Sequence, residues 1–390
     1  MTSRNGVRPF RFASLGECCT PVENIWPPKQ SNIRADVWPS QEEEIPWLIQ
    51  PDDSGLSIAP ENFFIDFENG RMKTAPFQMA YLEKVQFNAR TGILFPEEGV
   101  VLAESWYGER WFRLAIIHKL YPITEMYISS EGGVESLTYQ EETPNEVIPV
   151  PCFLLCLNPA MYANNYAHWL LEVLPRFAAM EVFPSLRKLK VLVYPLLTPV
   201  QEESLNLFGV SERKREVFTK VALRLEKVFV PTYPAAGGYS RQQLEWLGRT
   251  LPNLLGLSQP RLSKRRLYIS REDASKRRVT NHEELRRMLE KRGFETIIPG
   301  RMTLRQQVEM FGETECVVSP HGAACANLVF CPPGARLLEF LPEKYLHPMY
   351  GILAQLRGVR YRRLICPADA LTSDMTVDIA AVERILDRDV

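Results

Sequence analysis

Between Arg265 and Cys366 the sequence alternates short apolar runs with amphipathic segments, and this alternation constrains the fold more than any other feature. Because the connections are short, the apolar runs are predicted to be parallel strands of one sheet that is covered by helices on both faces. Ligands of such sheets bind at the carboxyl ends of the strands. Arg271 follows one predicted strand, and the His321-Gly322 pair follows another. The predicted strands are "RRLYISR", "FETIIPG", "ECVVSP", "ARLLEFLP" and "VRYRRLIC".

The first half of the chain also alternates strands and helices. "PCFLLCLNP" and "LKVLVYP" are predicted as strands, and "YANNYAHWLLEVLPRFAAM" between them as a helix. A chain of 390 residues is longer than one core normally needs, so two domains are expected. A segment rich in Pro and Gly marks the boundary between them. We predict an irregular lead-in over 1–60, an α/β domain with a small antiparallel β meander over 61–235, and a second α/β domain over 236–390.

Composition narrows the class of protein. The formal net charge of -1 argues against nucleic-acid binding as the main activity. The eight cysteines lack the spacing of a zinc site, and we interpret them as reduced thiols. The sequence shows neither a signal peptide nor the roughly 18 apolar residues of a membrane-spanning helix. We therefore expect a cytoplasmic protein, with peripheral membrane contact left open.

The common nucleotide and hydrolase signatures are missing. The sequence contains no GxxxxGK[ST] P-loop, no GxGxxG after a strand, no GxSxG elbow and no HExxH. These absences weigh against kinase, dehydrogenase, hydrolase and metalloprotease chemistry. What remains is an anion-binding α/β domain that uses arginines at strand ends in place of a metal.

The anion site is predicted around two loops. Gly322 and Ala323 leave room for close approach, and a helix starts there with its free N–H groups pointing outward. Arg271 could bind two phosphate oxygens with its guanidinium. Arg277 and Arg278 either add to this charge or form a solvated face before the helix that Asn281 is predicted to cap.

A polar stripe is predicted in the first domain. His168, Glu172 and Arg176 are four residues apart, which places them along one face of a helix. His168 is our candidate general base, and Glu172 either orients it or serves as the base itself. The alternative is that the pair only holds the helix start and the domain interface together.

Three separated motifs resemble the signatures of glycosyltransferase family 61, and they occur in the right order. They are "NNYAHWLLEVLPRF", "RRLYISREDASKRRVTNHEEL" and "VVSPHGAACANLVFCPPGARLLEF". The resemblance implies a GT-B architecture, in which two Rossmann-like domains face a cleft. It also implies a nucleotide-diphosphate sugar donor, for which we expect UDP, inversion at the anomeric carbon, and neither a cofactor nor a bound metal. The domain over 61–235 would then serve the acceptor, and the domain over 236–390 would bind the donor.

The resemblance also assigns residues to the donor site. The family's "HGA" falls on His321, Gly322 and Ala323, whose amides and ring would face the diphosphate. Glu339 could accept hydrogen bonds from ribose hydroxyls, or it could be a cap or a buried salt-bridge partner. The donor-binding residues that we predict are Arg271, Arg277, Asn281, His321, Gly322, Ala323, Asn327 and Glu339.

The resemblance is to bacterial members that act in capsular or surface polysaccharide synthesis, which implies a glycan or glycolipid acceptor. Two alternatives stay open at this point. The first is a non-catalytic nucleotide-sugar or glycan-binding protein of the same fold. The second is a GT-B nucleotide-sugar epimerase, which would bind the same donor and need no acceptor.

Overall fold

The structure is a computed structural model. It describes residues 7–23, 28, 30–44, 66–68, 71–89, 92–97, 100–102, 126–131, 134–140, 144–155, 165–232 and 239–388. The chain divides into two compact units, each built from two stretches of sequence. Unit 1 comprises Met1–Ser40 and Ala75–Ala236, and unit 2 comprises Gln41–Thr74 and Gly237–Val390.

The strands are numbered in chain order. They are β1 (Val7–Ala13), β2 (Thr20–Pro21), β3 (Ile33–Trp38), β4 (Glu42–Glu44), β5 (Asp66–Glu68), β6 (Arg71–Lys73), β7 (Phe77–Asn88), β8 (Ile93–Phe95), β9 (Val100–Leu102), β10 (Met126–Glu131), β11 (Val134–Gln140), β12 (Glu146–Ile148), β13 (Cys152–Leu154), β14 (Lys190–Val193), β15 (Arg215–Val217), β16 (Ala222–Pro231), β17 (Arg265–Ile269), β18 (Phe294–Ile297), β19 (Thr314–Pro320), β20 (Arg336–Pro342) and β21 (Arg360–Cys366).

The α-helices are numbered in the same way. They are α1 (Leu15–Cys18), α2 (Tyr166–His168), α3 (Ala179–Val182), α4 (Pro199–Leu207), α5 (Arg241–Leu254), α6 (His282–Lys291), α7 (Leu304–Gly312), α8 (Met349–Leu356) and α9 (Ile379–Arg388). A π-helical turn spans Trp169–Val173. Segments of 3₁₀-helix span Leu174–Ala178, Pro184–Lys188, Glu212–Lys214, Pro299–Arg301 and Ala323–Phe330.

Unit 1 is organised around a nine-stranded mixed sheet. Its main path runs β15-β14-β13-β16-β7-β3-β2, with β12 pairing to β16 and β8 pairing to β7. The strands from β15 to β16 are parallel, and β7 joins them antiparallel to β16. The parallel strands β13 and β14 are buried and apolar, as strands covered on both faces should be. A second sheet has the order β10-β11-β1-β9.

Unit 2 contains the five-stranded sheet on which the candidate site is built. Its order is β18-β17-β19-β20-β21, and all of its neighbouring pairs are parallel. Helix α6 shows how the sequence fits this sheet, because Leu285 and Leu289 are buried four residues apart while Glu283 and Glu284 occupy the first turn. The three-stranded sheet β4-β6-β5 also belongs to unit 2.

These observations confirm a mixed α/β fold and correct two expectations. Residues 1–60 are not simply an irregular lead-in, because β1 to β4 lie there and extend larger sheets. In the expected small meander β7 and β8 do pair antiparallel, but β7 is a 12-residue strand that also pairs with β16 and β3 inside the large sheet. The sequence that predicts the meander runs over 81–110, and its residues 90, 91, 98, 99 and 103–110 lie outside the described residues.

The stretch 41–74 joins unit 2 through specific contacts. Arg241 of α5 forms an ion pair with Glu43 of β4, with 3.2 Å between Nη2 and Oε2. The backbone N–H of Arg241 also donates to Oε1 of Glu43, at 3.3 Å. Among the described residues, no helix is both long enough and apolar enough to span a membrane.

Candidate functional site

The candidate site lies where three neighbouring parallel strands end. Arg271 follows β17, His321 and Gly322 follow β19, and Tyr345 and His347 follow β20. Since β17, β19 and β20 are adjacent and parallel, their carboxyl ends meet at one edge of the sheet. The structure thus brings together the two loops that the sequence singled out and adds a third.

Arg271 passes directly over Gly322. A methyl group at Gly322 would overlap Nη1 of Arg271 and lie 2.8 Å from its Cζ. The φ angle of Gly322 is -179°, so its backbone is extended and any residue could adopt it. The close approach of the guanidinium, and not backbone strain, therefore favours glycine at this position.

The loop after β17 holds both arginines by backbone contacts. Nε of Arg271 donates to the carbonyl of Arg277 at 3.2 Å, and Nη2 donates to the carbonyl of Lys276 at 3.0 Å. Arg277 has a φ of +58°, which is unusual for a residue with a side chain. Its Nε donates to the carbonyl of His321 at 3.2 Å, and its guanidinium lies 5.1 Å from the ring centroid of Tyr345.

A strap of chain after β21, residues 369–377, keeps this loop in place. The backbone N–H of Arg277 donates to the carbonyl of Thr372. Arg278 contacts Asp374 with its backbone N–H at 2.9 Å, with Nε at 3.0 Å and with Nη2 at 2.8 Å. Arg278 therefore anchors the loop through Asp374, while its side chain keeps 51% of its surface exposed, as the alternative of a solvated face expected.

Two like charges face each other at the site. Among the described residues no carboxylate forms an ion pair with Arg271 or Arg277, and Asp273 attracts Arg271 only at longer range. Burial and the neighbouring charge of Arg277 lower the pKa of Arg271. An anion bound between the two guanidinium groups would remove this repulsion.

His321 belongs to a buried hydrogen-bonded chain. Its Nδ1 lies 2.7 Å from Oε1 of Glu339, and the hydroxyl of Tyr361 donates to Oε2 of the same carboxyl group at 2.9 Å. Relative exposure is 4% for His321 and 0% for Glu339. Burial, Arg277 and Arg271 lower the pKa of His321 well below its usual value, and burial raises the pKa of Glu339 to about 8.

The structure does not support the ribose contact assigned to Glu339. Its side chain has no exposed surface, and both of its oxygens contact other side chains. Of the two alternatives, a cap or a buried salt-bridge partner, the second fits its contacts. That partner is His321.

Two other predicted donor residues have structural contacts instead. The side chain of Asn281 exchanges two hydrogen bonds with the backbone of Val377, at 2.9 and 3.0 Å, and it does not cap α6. Asn327 is fully buried, and its Nδ2 donates to Gln307 at 2.8 Å and to the carbonyl of Ala324 at 3.1 Å. Ala323 starts the segment after Gly322 as expected, but this segment is a 3₁₀-helix and not an α-helix.

In unit 1 the predicted polar pair is present. Nδ1 of His168 lies 2.8 Å from Oε1 of Glu172, whose side chain is buried. Burial lowers the pKa of His168, but the charge of Glu172 and its hydrogen bond outweigh this, so the net shift is upward. The His168 side chain keeps 21% of its surface exposed.

The helix that carries this pair is irregular. It begins at α2, capped by the Asn165 side chain, and continues as the π-helical turn Trp169–Val173 and a 3₁₀ segment that contains Pro175. Single π-helical turns within helices occur frequently at functional sites. Arg176 was expected on the same polar stripe as His168 and Glu172. It is fully buried instead, and its Nη1 donates to the carbonyl of Leu155 at 2.6 Å. It packs inside unit 1.

Sequence reasoning missed the aromatic residues around His321. The ring centroids of Tyr345, His347 and Tyr350 lie 5.4, 5.9 and 4.9 Å from that of His321. The stretch "KYLHPMY" directly after β20 contains all three. The position of this stretch at a strand end was the signal that could have identified the three residues.

The comparison with protein families agrees with the motifs. Residues 166–338 match the family model described as Glycosyltransferase 61. The match begins at the helix that carries His168 and ends in β20, one residue before Glu339. A comparison with curated proteins gave no match. The chain therefore carries a glycosyltransferase family 61 domain and is a glycosyltransferase.

Proposed function

We propose that this glycosyltransferase takes its sugar from a nucleoside diphosphate donor, with UDP as the expected nucleotide, and transfers it with inversion at the anomeric carbon. The donor diphosphate would bind at Arg271, Arg277 and the Gly322-Ala323 backbone in unit 2. The acceptor hydroxyl would be activated by His168 of unit 1. The proposal includes a GT-B architecture and a reaction that needs neither a cofactor nor a bound metal.

One observation carries the donor assignment. Arg271 and Arg277 are adjacent, and no carboxylate among the described residues forms an ion pair with either of them. Two guanidinium groups in one partly buried site repel each other unless an anion neutralises them. Their backbone contacts fix both in place before the ligand arrives, so little conformational entropy would be lost on binding a diphosphate.

The contact between His168 and Glu172 suits general-base catalysis. Because Nδ1 is engaged by the Glu172 carboxylate, Nε2 is the ring nitrogen that would accept the proton of the acceptor hydroxyl. The deprotonated oxygen attacks the anomeric carbon as the bond from that carbon to the diphosphate oxygen breaks. The nucleoside diphosphate leaves with the bonding electron pair, and the positive charge on the imidazole is stabilised by Glu172.

We further propose a glycan or glycolipid acceptor and a role in the synthesis of surface polysaccharides such as a capsule. This rests on the family match and on the resemblance of the chain to bacterial members. A cytoplasmic location with peripheral membrane contact belongs to the same proposal. Transfer of sugar to lipid-linked acceptors in assays with membrane fractions would support this proposal. Activity restricted to free nucleosides or to proteins as acceptors would contradict it.

Calorimetric titration with a panel of nucleoside diphosphates and nucleotide sugars, with and without EDTA, tests the donor assignment. We expect one nucleotide to bind with micromolar affinity whether or not EDTA is present. Arg271→Ala should weaken this binding by about 1.5–3 kcal/mol, the range for a hydrogen bond to a charged group. Arg384→Ala is the matched control, since this exposed arginine of α9 pairs weakly with Asp378, and it should leave the affinity unchanged.

The base is tested with a second variant. His168→Ala should keep the donor affinity of the wild type while turnover falls on the order of 100-fold or more. Determination of the anomeric configuration of the product by NMR tests inversion. Retained configuration, or turnover that is insensitive to His168→Ala, would refute the proposed mechanism.

A further inference from the structure

We propose that Glu339 is a positioning residue that shares one proton with His321 and thereby makes Nε2 of His321 a hydrogen-bond donor for the diphosphate of the sugar donor. This inference rests on the proposed function, because it assigns a role within the proposed donor site. Glu339 itself touches no substrate and acts only through His321.

The geometry that carries the inference is a chain of three side chains from three adjacent strands or their ends. His321 directly follows β19, Glu339 lies on β20 and Tyr361 lies on β21. The two contacts of the Glu339 carboxyl group, 2.7 Å to His321 and 2.9 Å from the Tyr361 hydroxyl, occupy both of its oxygens. Tyr361 donates to Oε2, which leaves Oε1 to face Nδ1 of the imidazole.

Proton counting shows why this arrangement controls Nε2. If the shared proton is on Nδ1, the pair is an imidazolium and a carboxylate, and Nε2 carries a hydrogen. If the proton is on Oε1, the pair is a neutral imidazole and a carboxylic acid, and Nε2 again carries the hydrogen. Only when the pair loses one of its two protons can the remaining hydrogen sit on Nδ1, facing the carboxylate, and leave a lone pair at Nε2. A lone pair there would repel a diphosphate oxygen.

The surroundings favour the pair that keeps its proton. Burial raises the pKa of Glu339 to about 8 although Tyr361 and Arg363 lower it, and burial with the charges of Arg277 and Arg271 lowers the pKa of His321. The raised pKa of Glu339 and the lowered pKa of His321 both place the shared proton on the carboxyl group. The pair of a carboxylic acid and a neutral imidazole then has no net charge. Such a pair adds a donor to the site and leaves the positive charge of the arginines unopposed.

Other titratable and charged groups approach this pair from every neighbouring element. They are Arg271 and Arg277 of the loop after β17, Cys325 of the 3₁₀ segment, Tyr345 and His347 after β20, Tyr350 of α8, and Tyr361 and Arg363 of β21. Burial raises the pKa of Cys325 to about 12 and that of both Tyr350 and Tyr361 well above the usual value. His347 is the remaining imidazole, and the test needs a control for it.

The test is the pH dependence of UDP binding, measured by calorimetry between pH 7 and 9. For the wild type we expect a constant affinity at the lower end and a decline above a pH of about 8, with a limiting slope of about tenfold per pH unit. The sign follows from the raised pKa of Glu339, because the proton that binding requires is present below that pKa and lost above it. The ionisation of UDP affects its binding to the wild type and to the variants equally, so it cancels when their affinities are compared at the same pH.

The affinity of Glu339→Gln for UDP at pH 7 should lie within about threefold of the wild-type affinity. This variant should lack the fall in affinity at higher pH that Glu339 causes. The glutamine carbonyl can accept from Tyr361 while its NH₂ donates to Nδ1, which keeps the hydrogen on Nε2 at every pH. Glu339→Ala leaves nothing at Nδ1 to keep the hydrogen on Nε2, so this variant should bind UDP more weakly at pH 7. His347→Gln is the control, and it should keep the decline of the wild type.

Several outcomes would overturn the inference. An unchanged decline in Glu339→Gln, or equal weakness of the Gln and Ala variants at pH 7, would show that Glu339 does not set the proton on His321. If Glu339→Gln does not fold, Tyr361→Phe replaces it, and its decline should move to higher pH because it removes a bond that lowers the pKa of Glu339. A wild type that binds no nucleoside diphosphate at any pH would refute the proposed function, and the inference with it.

Discussion

The contact between Gly322 and Arg271 gives the sharpest test of the donor site. Replacing Gly322 with alanine adds one methyl group, which would overlap Nη1 and lie 2.8 Å from Cζ of Arg271. Because the backbone of Gly322 is extended, alanine adds no strain there. The atoms that must move belong to the end of a flexible side chain, so the guanidinium should shift while the fold persists.

The magnitude follows from what the shifted guanidinium loses. Arg271 would give up its bonds to the carbonyls of Arg277 and Lys276 and leave its place in the anion site. A hydrogen bond to a charged group contributes about 1.5–3 kcal/mol, so the affinity for UDP should fall about 10- to 150-fold. The free energy of unfolding should fall by about 1.5–3 kcal/mol, because the bonds from Arg271 to the two carbonyls are lost as well.

Calorimetry on four proteins, the wild type, Gly322→Ala, Arg271→Ala and the double variant, measures this effect as a double-mutant cycle. If Gly322→Ala acts by displacing Arg271, the double variant should bind UDP no more weakly than Arg271→Ala alone. Additive losses in the double variant would refute the reasoning, because the glycine would then act independently of the arginine. Unchanged affinity in Gly322→Ala would refute the assigned position of the guanidinium.

Asp374→Asn should lower UDP affinity about three- to tenfold by loosening the loop of the anion site, whereas Asp387→Asn, which breaks an exposed ion pair elsewhere in unit 2, should not. Calorimetry compares the two, and equal affinities would contradict the role of the strap. Asn327→Ala should lower the free energy of unfolding by about 1–3 kcal/mol and leave UDP affinity unchanged, and reduced affinity in a stable variant would restore Asn327 to the donor site. In the wild type, kcat/KM should rise with pH through a pKa above the usual value of a histidine, because the base must be unprotonated and Glu172 raises the pKa of His168. Glu172→Gln should move this rise to lower pH, since burial alone lowers the pKa of His168, and an unmoved rise would exclude His168 as the base.

Much of unit 2 could be predicted from local pattern. The alternation of apolar runs and helices corresponds to β17–β21 and to α6, α7 and α8, and the rule that ligands bind at strand ends identified Arg271 and His321. The contact between His168 and Glu172 was also predictable, because a separation of four residues on a helix brings side chains together. These features depend on spacing along the chain, which a sequence displays directly.

The sheets of unit 1 were harder to predict. Strand β7 pairs with β16 about 140 residues later in the chain, and no local signal shows such a pairing. The interruption of the His168 helix by a π-helical turn was not predicted either, although Pro175 indicated an irregularity.

By itself the sequence determined the family, the α/β class and the chemical types available to the site, because motifs, periodicity and side-chain chemistry are properties of the chain. Only the tertiary structure decided which of those groups can meet a ligand. It buried Glu339 and Asn327, joined Asn281 to Val377, and placed Arg271 over Gly322. Burial and contact between residues distant in sequence decide whether a polar side chain binds a substrate or supports a neighbour. Both arise only when separate strands come together in one sheet.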